Sequence, residues 1–179
     1  MQNTSKDTPP IEESYDKEIE ELSLVERYYT PRYRVNFEQQ GDDFCVLFHS
    51  NRICVISLAP SHTVLTEHKQ VSKIIYHVSP NVDRLNNTVS GKGKRGAQIL
   101  TPSSVIFYLN CSDGSQYAVR SCVPGKLVEI NDQLMENPNL VTERPSDRGY
   151  LAVVLPTIPV SGRYKEELLT PEQYLSRDT

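Results

Sequence analysis

The chain has 179 residues and a formal net charge of -4 at pH 7, with 19 Lys and Arg against 23 Asp and Glu. This balance argues against direct nucleic-acid binding, because phosphate recognition requires a concentrated excess of cations. We expect no membrane association and no secretion, since the sequence has neither a run of about 20 apolar residues nor the apolar core of a signal peptide.

The first 22 residues form an acidic arm with few apolar side chains. Its carboxylates are Glu12, Glu13, Asp16, Glu18, Glu20 and Glu21. Such a composition cannot offset the entropy lost on ordering, so we expect residues 1–22 to be disordered. Ser23 then has the character of an N-cap, and the sequence predicts a short helix that ends before Pro31.

The middle of the chain alternates β-branched and aromatic runs with turn signals. Strands are predicted on both sides of Ser50-Asn51-Arg52 within 44–58, and at 71–78, 104–111, 116–122, 126–131 and 150–155. Asn tolerates the positive φ of a tight hairpin, and Asp113-Gly114 is a strong hairpin signal. Short helices are predicted at 132–136 and after the Thr170-Pro171 capping box. Short strands at close intervals indicate a mostly β, antiparallel barrel or sandwich.

Two exposed segments are candidates for partner binding. The segment 89–96 contains three glycines and three cations, and its Lys92, Lys94 and Arg95 either dock an acidic partner surface or only solvate a turned loop. As a nuclear import signal this cluster is short. His49, Asn51 and Arg52, at the first hairpin turn, either form part of a binding surface or satisfy backbone groups of the turn.

No arrangement of residues indicates an active site or a metal site. The cysteines, Cys45, Cys54, Cys111 and Cys122, lie in apolar segments without C-x-x-C spacing, so we interpret them as reduced core residues. The four histidines have no metal-ligand spacing. We therefore expect a protein without catalytic residues, metal or cofactor.

The segment from Gln116 to Leu155 resembles the C-terminal half of the glycine cleavage H-protein. The motifs are Val123-Pro124-Gly125, Val128-Glu129-Ile130-Asn131, Asn137-Pro138-Asn139-Leu140-Val141 and Gly149-Tyr150-Leu151. The resemblance implies a barrel-sandwich hybrid of the lipoyl-carrier type, with a single hybrid motif and short peripheral helices. In that family a lysine at a hairpin tip carries lipoate, but the hairpin around Asp113-Gly114 has no Lys from Ser104 to Cys122. We therefore expect no lipoyl group.

A longer resemblance, from about Leu24 to Tyr174, is to the Simiate/Abitram family of actin-binding transcription modulators. It rests on Ser23–Tyr28, His49–Ile56, Val89–Lys92, Lys94–Gln98, Cys111–Gly114, Ser121–Val123, Gly149-Tyr150 and Leu168–Pro171. It implies a protein that binds actin monomers or filaments, influences polymerisation and is divided between nucleus and cytoplasm. Expected locations are nuclear speckles, lamellipodia, growth cones and dendrites, with possible nuclear protein partners.

These expectations divide the chain into an acidic arm (1–22), an H-protein-like β domain (23–160) and a C-terminal segment with a short helix (161–179). Two alternatives to an actin-binding module remain open. One is a non-lipoylated accessory or scaffold subunit of a larger complex, and the other is a transcription-linked scaffold recruited to nuclear bodies by the basic loop.

Overall fold

Two antiparallel sheets frame the molecule, and the computed structural model describes them within residues 23–177. The strands there are β1 (Tyr29–Arg34), β2 (Phe44–His49), β3 (Cys54–Leu58), β4 (Val71–Ile75), β5 (His77–Ser79), β6 (Val82–Asp83), β7 (Ile99–Leu100), β8 (Val105–Cys111), β9 (Gln116–Arg120), β10 (Gly125–Ile130) and β11 (Ala152–Leu155). The larger sheet has the order β1-β2-β3-β11-β10-β7, and a three-stranded sheet has the order β4-β8-β9. The small β5-β6 pair completes the described strands.

The core lies between the two larger sheets. On β2, Phe44, Val46 and Phe48 are at most 3% exposed and belong to the main core cluster. Phe107 and Leu109 of β8 are fully buried in the same cluster. The alternate residues of β2 belong to a second cluster on the outer face of the larger sheet. This period of two follows from the pleat of a strand.

The predicted strands are present, although one of them is divided and three observed strands, β1, β6 and β7, were not predicted. The strand predicted over 71–78 is divided at Tyr76, whose buried ring packs edge-on against Phe107 with centroids 5.4 Å apart. Sequence analysis did not predict β1, which contains Pro31. Proline is tolerated there because β1 ends the larger sheet: Pro31, like Tyr33 two residues later, turns its backbone away from β2, toward the side where the described chain adds only the single bridge between Tyr33 and Leu169.

The helices of the described range are short. They are α1 (Leu24–Tyr28), α2 (Thr63–Thr66), α3 (Gln133–Glu136), α4 (Leu140–Glu143), α5 (Ile158–Glu167) and α6 (Pro171–Ser176). The predicted N-cap at Ser23 and the predicted capping box at Thr170 are both present. Sequence analysis missed α2, α4 and α5, and the boundary that it placed between 160 and 161 falls inside α5. That division stays a prediction, and the predicted acidic arm lies outside the described residues.

The C-terminal helix α6 packs against the outer face of the larger sheet. The ring of Tyr174 stacks on Tyr33 with centroids 3.9 Å apart. Asp43, whose side chain is 3% exposed, accepts a bond from Arg177 Nη2 at 2.8 Å and another from Ser61. These contacts join the end of the described chain to β1 and β2.

All four cysteines are buried and free, as the sequence predicted. Burial raises the pKa of each thiol, which keeps these groups protonated and poorly nucleophilic. Over residues 23–177, no helix combines the length and apolarity that crossing a bilayer would require.

Candidate functional site

The basic loop, Lys92, Lys94 and Arg95, lies on a sharp turn. Backbone bonds of 3.0 and 2.9 Å join Ser90 and Arg95 in both directions. Between them, Gly91 has φ +66° and Lys94 has φ +50°, and the left-handed conformation at both positions reverses the chain within four residues. Lys92 and Arg95 are exposed and Lys94 is half-buried. The expectation of a sharply turned loop is confirmed.

The root of this loop is held by a chain of hydrogen bonds among half-buried polar side chains. Arg84 Nη1 donates to Gln98 Oε1 at 2.6 Å, and the backbone N–H of Gln98 donates to Asn87 Oδ1 at 2.8 Å. Asn87 Nδ2 in turn donates to the carbonyl of Leu127 on β10 at 2.8 Å. The loop is therefore anchored on the larger sheet, which reduces the entropy that its cations lose on binding.

Lys126 and Ile99 extend the basic loop into a larger surface. Lys126 Nζ donates to the carbonyl of Gly93 at 2.7 Å, which brings a fourth cation against the turn. Ile99 lies opposite Lys126 in the β7–β10 register, and it is 70% exposed. We call Lys92, Lys94, Arg95, Lys126 and Ile99 the basic surface. An apolar side chain among cations suits a contact that combines burial with charge pairing.

The cations of the basic loop have no carboxylate partner in the described part of the chain. The ion pairs found there join other residues, and none includes Lys92, Lys94 or Arg95. Their ammonium and guanidinium groups can therefore pair with carboxylates of another molecule without first breaking an ion pair to any residue of 23–177.

The first hairpin turn, by contrast, uses its polar side chains locally. His49 Nδ1 accepts the backbone N–H of Asn51 at 3.1 Å, and Asn51 Oδ1 accepts that of Ile53 at 3.1 Å. The residue with positive φ is Arg52, at +76°, whereas sequence analysis had assigned that role to Asn51. The side chains of His49 and Asn51 thus satisfy backbone groups of the turn, the second of the two interpretations that the sequence left open.

The basic loop and the first hairpin turn both contact the same end of the larger sheet. Arg52 Nη1 donates to the carbonyl of Pro156, directly after β11, at 3.3 Å. The last residue of β11, Leu155, pairs with Lys126, whose amine reaches the basic loop. Sequence analysis did not assign Lys126 or Ile99 to a site. The alternation of polar and apolar residues over 126–131 indicated that Lys126 is surface-facing, but not that it contacts a loop 33 positions earlier.

The β8–β9 hairpin tip holds no lysine, yet the fold brings one beside it. Lys69 Nζ lies 2.6 Å from Asp113 Oδ2 and 2.9 Å from Glu67 Oε2. The bonds to Asp113 and Glu67 raise the pKa of Lys69, and the bond to Lys69 lowers the pKa of Asp113. Acylation would require this amine to lose its proton and to leave both carboxylates, because an amine must be neutral to attack. Forty-four positions separate Lys69 from Asp113, so no local pattern reveals the pair.

The chain is similar to two groups of known proteins. The family model described as "Glycine cleavage H-protein" matches residues 115–177. A Homo sapiens protein named "Protein Abitram" is 48% identical over 153 residues, which cover 85% of this chain and 84% of that protein. Proteins of the same name are 42% identical in Xenopus tropicalis, covering 90% of this chain and 89% of that protein, and 35% identical in Dictyostelium discoideum, covering 85% and 86%.

Among solved structures, a glycine cleavage system H protein from Mycobacterium marinum aligns with a TM-score of 0.48 and 14% identity, covering 77% of this chain and 97% of that one. The predicted fold class is confirmed by the two packed antiparallel sheets and by the family-model match to residues 115–177. The protein is a mostly β, H-protein-like barrel-sandwich hybrid with short helices at its periphery.

Proposed function

Because the chain belongs to the Abitram family, we propose that it is a non-catalytic actin-binding protein. It modulates actin polymerisation and cell projections, and a second pool is nuclear and linked to transcription. The observation that best supports this proposal is the anchored basic surface, whose loop cations lack a carboxylate partner in the described residues. Such a surface is suited to a partner that presents carboxylates around an apolar contact.

Actin co-sedimentation tests the proposal with the full chain. We expect the protein to enter the pellet with filaments, or to change the rate of polymerisation of pyrene-labelled monomers. A protein that remains in the supernatant at saturating actin and leaves the polymerisation rate unaltered would remove actin binding from the account.

A second candidate is a non-lipoylated accessory or scaffold subunit of a larger complex. The match of residues 115–177 to the H-protein family model favours it. Both candidates require that neither the β8–β9 hairpin nor the neighbouring Lys69 carry an acyl group. The hairpin has no lysine from Ser104 to Cys122, and Lys69 is ion-paired.

Intact-mass spectrometry after co-expression with a lipoate ligase examines that shared requirement. We expect a single unmodified mass, with a carrier H-protein as the positive control. A lipoyl adduct mapped to Lys69, or to any residue beside the hairpin tip, would return the protein to the class of carriers.

The nuclear pool is tested separately, because retention there would depend on the basic loop. If the loop recruits the protein to nuclear bodies, replacing Lys92, Lys94 and Arg95 by Ala disperses the nuclear signal in cells. A distribution identical to that of the wild type would assign nuclear retention to another part of the chain.

A further inference from the structure

A long groove runs over the outer face of the larger sheet, away from the core. Two adjoining cavities of about 940 and 280 Å³ form it, and both are lined by Val25, Tyr29, Leu47, Ser146 and Asp147. One wall is α1 with the start of β1, and the opposite wall is the segment 143–147, which begins at the last residue of α4. We call this feature the outer groove.

The floor of the outer groove is an apolar row that crosses four strands. Pro31 pairs with Leu47, Leu47 with Val55, and Val55 with Val153. Residues directly opposite each other share a face of the sheet, and Pro31, Val55 and Val153 remain half-buried. Three strand spacings of about 4.8 Å give a row of about 14 Å, the length of roughly four extended residues.

The rim of the outer groove is acidic. Glu26, Glu143 and Asp147 are exposed carboxylates on its two walls. Hydrogen bonds from Ser23 lower the pKa of Glu26 below its usual value, so the charge of this carboxylate persists in mild acid. Among the described lining residues the cation is Arg144, which lies 3.7 Å from Asp147. The two groups partly neutralise each other, and Glu26 and Glu143 leave the rim with a net negative charge. The outer groove thus differs in charge from the basic surface.

We propose that the outer groove docks a short segment of a partner protein in which apolar residues alternate with Lys or Arg. The apolar side chains cover the row from Pro31 to Val153, and the cations pair with Glu26, Glu143 and Asp147. Residues 1–22 precede Ser23, which lines the groove, but their many carboxylates would be repelled by this rim. The proposal is independent of actin binding, which concerns the basic surface.

A designed peptide serves as the probe, since the partner segment is defined by chemistry. We would use a fluorescein-labelled 12-residue peptide of alternating Leu and Lys, with two matched peptides that replace Lys by Glu or Leu by Ser. Fluorescence anisotropy with the full chain should give at least tenfold weaker binding for each matched peptide. The Leu/Lys peptide should shift the amide NMR signals of Leu47, Val55 and Val153.

Charge reversal on the rim provides the variant. Glu143→Lys with Asp147→Lys should weaken the Leu/Lys peptide at least tenfold and strengthen the Leu/Glu peptide. The matched control, Glu136→Lys with Glu166→Lys, makes the same net change at exposed positions outside the groove and should leave the affinity within twofold. Thermal melting establishes that both proteins are folded.

Several outcomes would overturn the proposal. These are failure of the Leu/Lys peptide to bind, equal loss of affinity in the rim variant and its control, and NMR shifts confined to the basic loop. Carbodiimide cross-links from Lys6 or Lys17 to Glu143 or Asp147, together with exclusion of the peptide, would assign the groove to this chain's own arm. A concentration-dependent dimer abolished by Val153→Lys would assign it to a second copy.

Discussion

His62 is a fully buried histidine whose position makes it sensitive to protonation. Its ring lies edge-on to Phe44 and Tyr117, with centroids 5.4 and 5.8 Å away. Nδ1 accepts the backbone N–H of Val64 at 3.1 Å and so caps α2. Burial lowers the pKa of His62 from 6.5 to about 4, although the charge of Asp43 opposes this. The folded protein therefore holds His62 neutral.

This environment predicts a loss of stability in mild acid. Between pH 6.5 and about 4 the unfolded chain binds a proton at His62 that the folded chain does not, so the free energy of unfolding falls as the pH falls. We expect this group to remove about 2 kcal/mol between pH 7 and pH 5. Urea denaturation at the two pH values measures the change.

His62→Asn is the matched control, because asparagine retains an acceptor for the α2 cap and does not titrate. Between pH 7 and pH 5, the free energy of unfolding of the variant should fall by about 2 kcal/mol less than that of the wild type. An equal pH dependence in both proteins would mean that other groups cause the acid sensitivity.

At the scale of elements, Gly149 determines how α4 meets β11. A Cβ added at Gly149 would lie 1.9 Å from the carbonyl oxygen of Leu140 and 2.7 Å from that of Arg144. The backbone N–H of Gly149 also donates to Arg144 at 2.8 Å. The glycine in the Gly149-Tyr150 motif is therefore required by the close approach of two backbone segments.

Gly149→Ala should destabilise the protein by about 3 kcal/mol, at the upper end for overpacking, because the obstacle is backbone. Gly162→Ala provides the contrast, since Gly162 lies in α5 with nothing within 4 Å of the added carbon. That change should be neutral or stabilising by up to about 1 kcal/mol. Urea unfolding of both variants tests the comparison, and equal stability of the Gly149 variant and the wild type would contradict it.

The elements that sequence analysis predicted correctly are those specified by local patterns. The β8–β9 hairpin follows from Asp113-Gly114 between two β-rich runs, and α6 from its capping box. The strand β1 was missed because its form depends on pairing with β2 and on the backbone bonds between Tyr33 and Leu169, 2.9 and 3.0 Å long. Such contacts between distant residues leave no periodic signal.

The residues of the candidate site also divide into those that a local pattern predicted and those that depend on contacts between distant segments. Glycines and cations at 89–96 predicted a turned basic loop, and the structure contains one. The contributions of Lys126 and Ile99 depend on the β7–β10 pairing, and the Lys69–Asp113 pair depends on the approach of a loop to the hairpin tip. Composition gave no indication of either.

At the scale of the whole molecule, a protein of net charge -4 presents one locally basic surface and one acid-rimmed groove. Long-range electrostatic attraction to a partner depends on the net charge of the protein and little on which cations supply it. A specific site depends on the positions of its cations. Specific binding of actin should therefore depend on the position of the cations as well as on the net charge, and two triple variants separate these effects.

The most direct test is the affinity of labelled actin for three forms of the full chain at about 0.1 M salt, where screening reduces long-range attraction. The loop variant replaces Lys92, Lys94 and Arg95 by Ala. The control variant replaces three exposed cations elsewhere by Ala, namely Lys73, Arg148 and Arg163. We predict that the loop variant binds at least about tenfold more weakly than the wild type, equivalent to about 1.4 kcal/mol, while the control stays within about twofold. Equal affinity of the loop variant and the wild type would contradict the account.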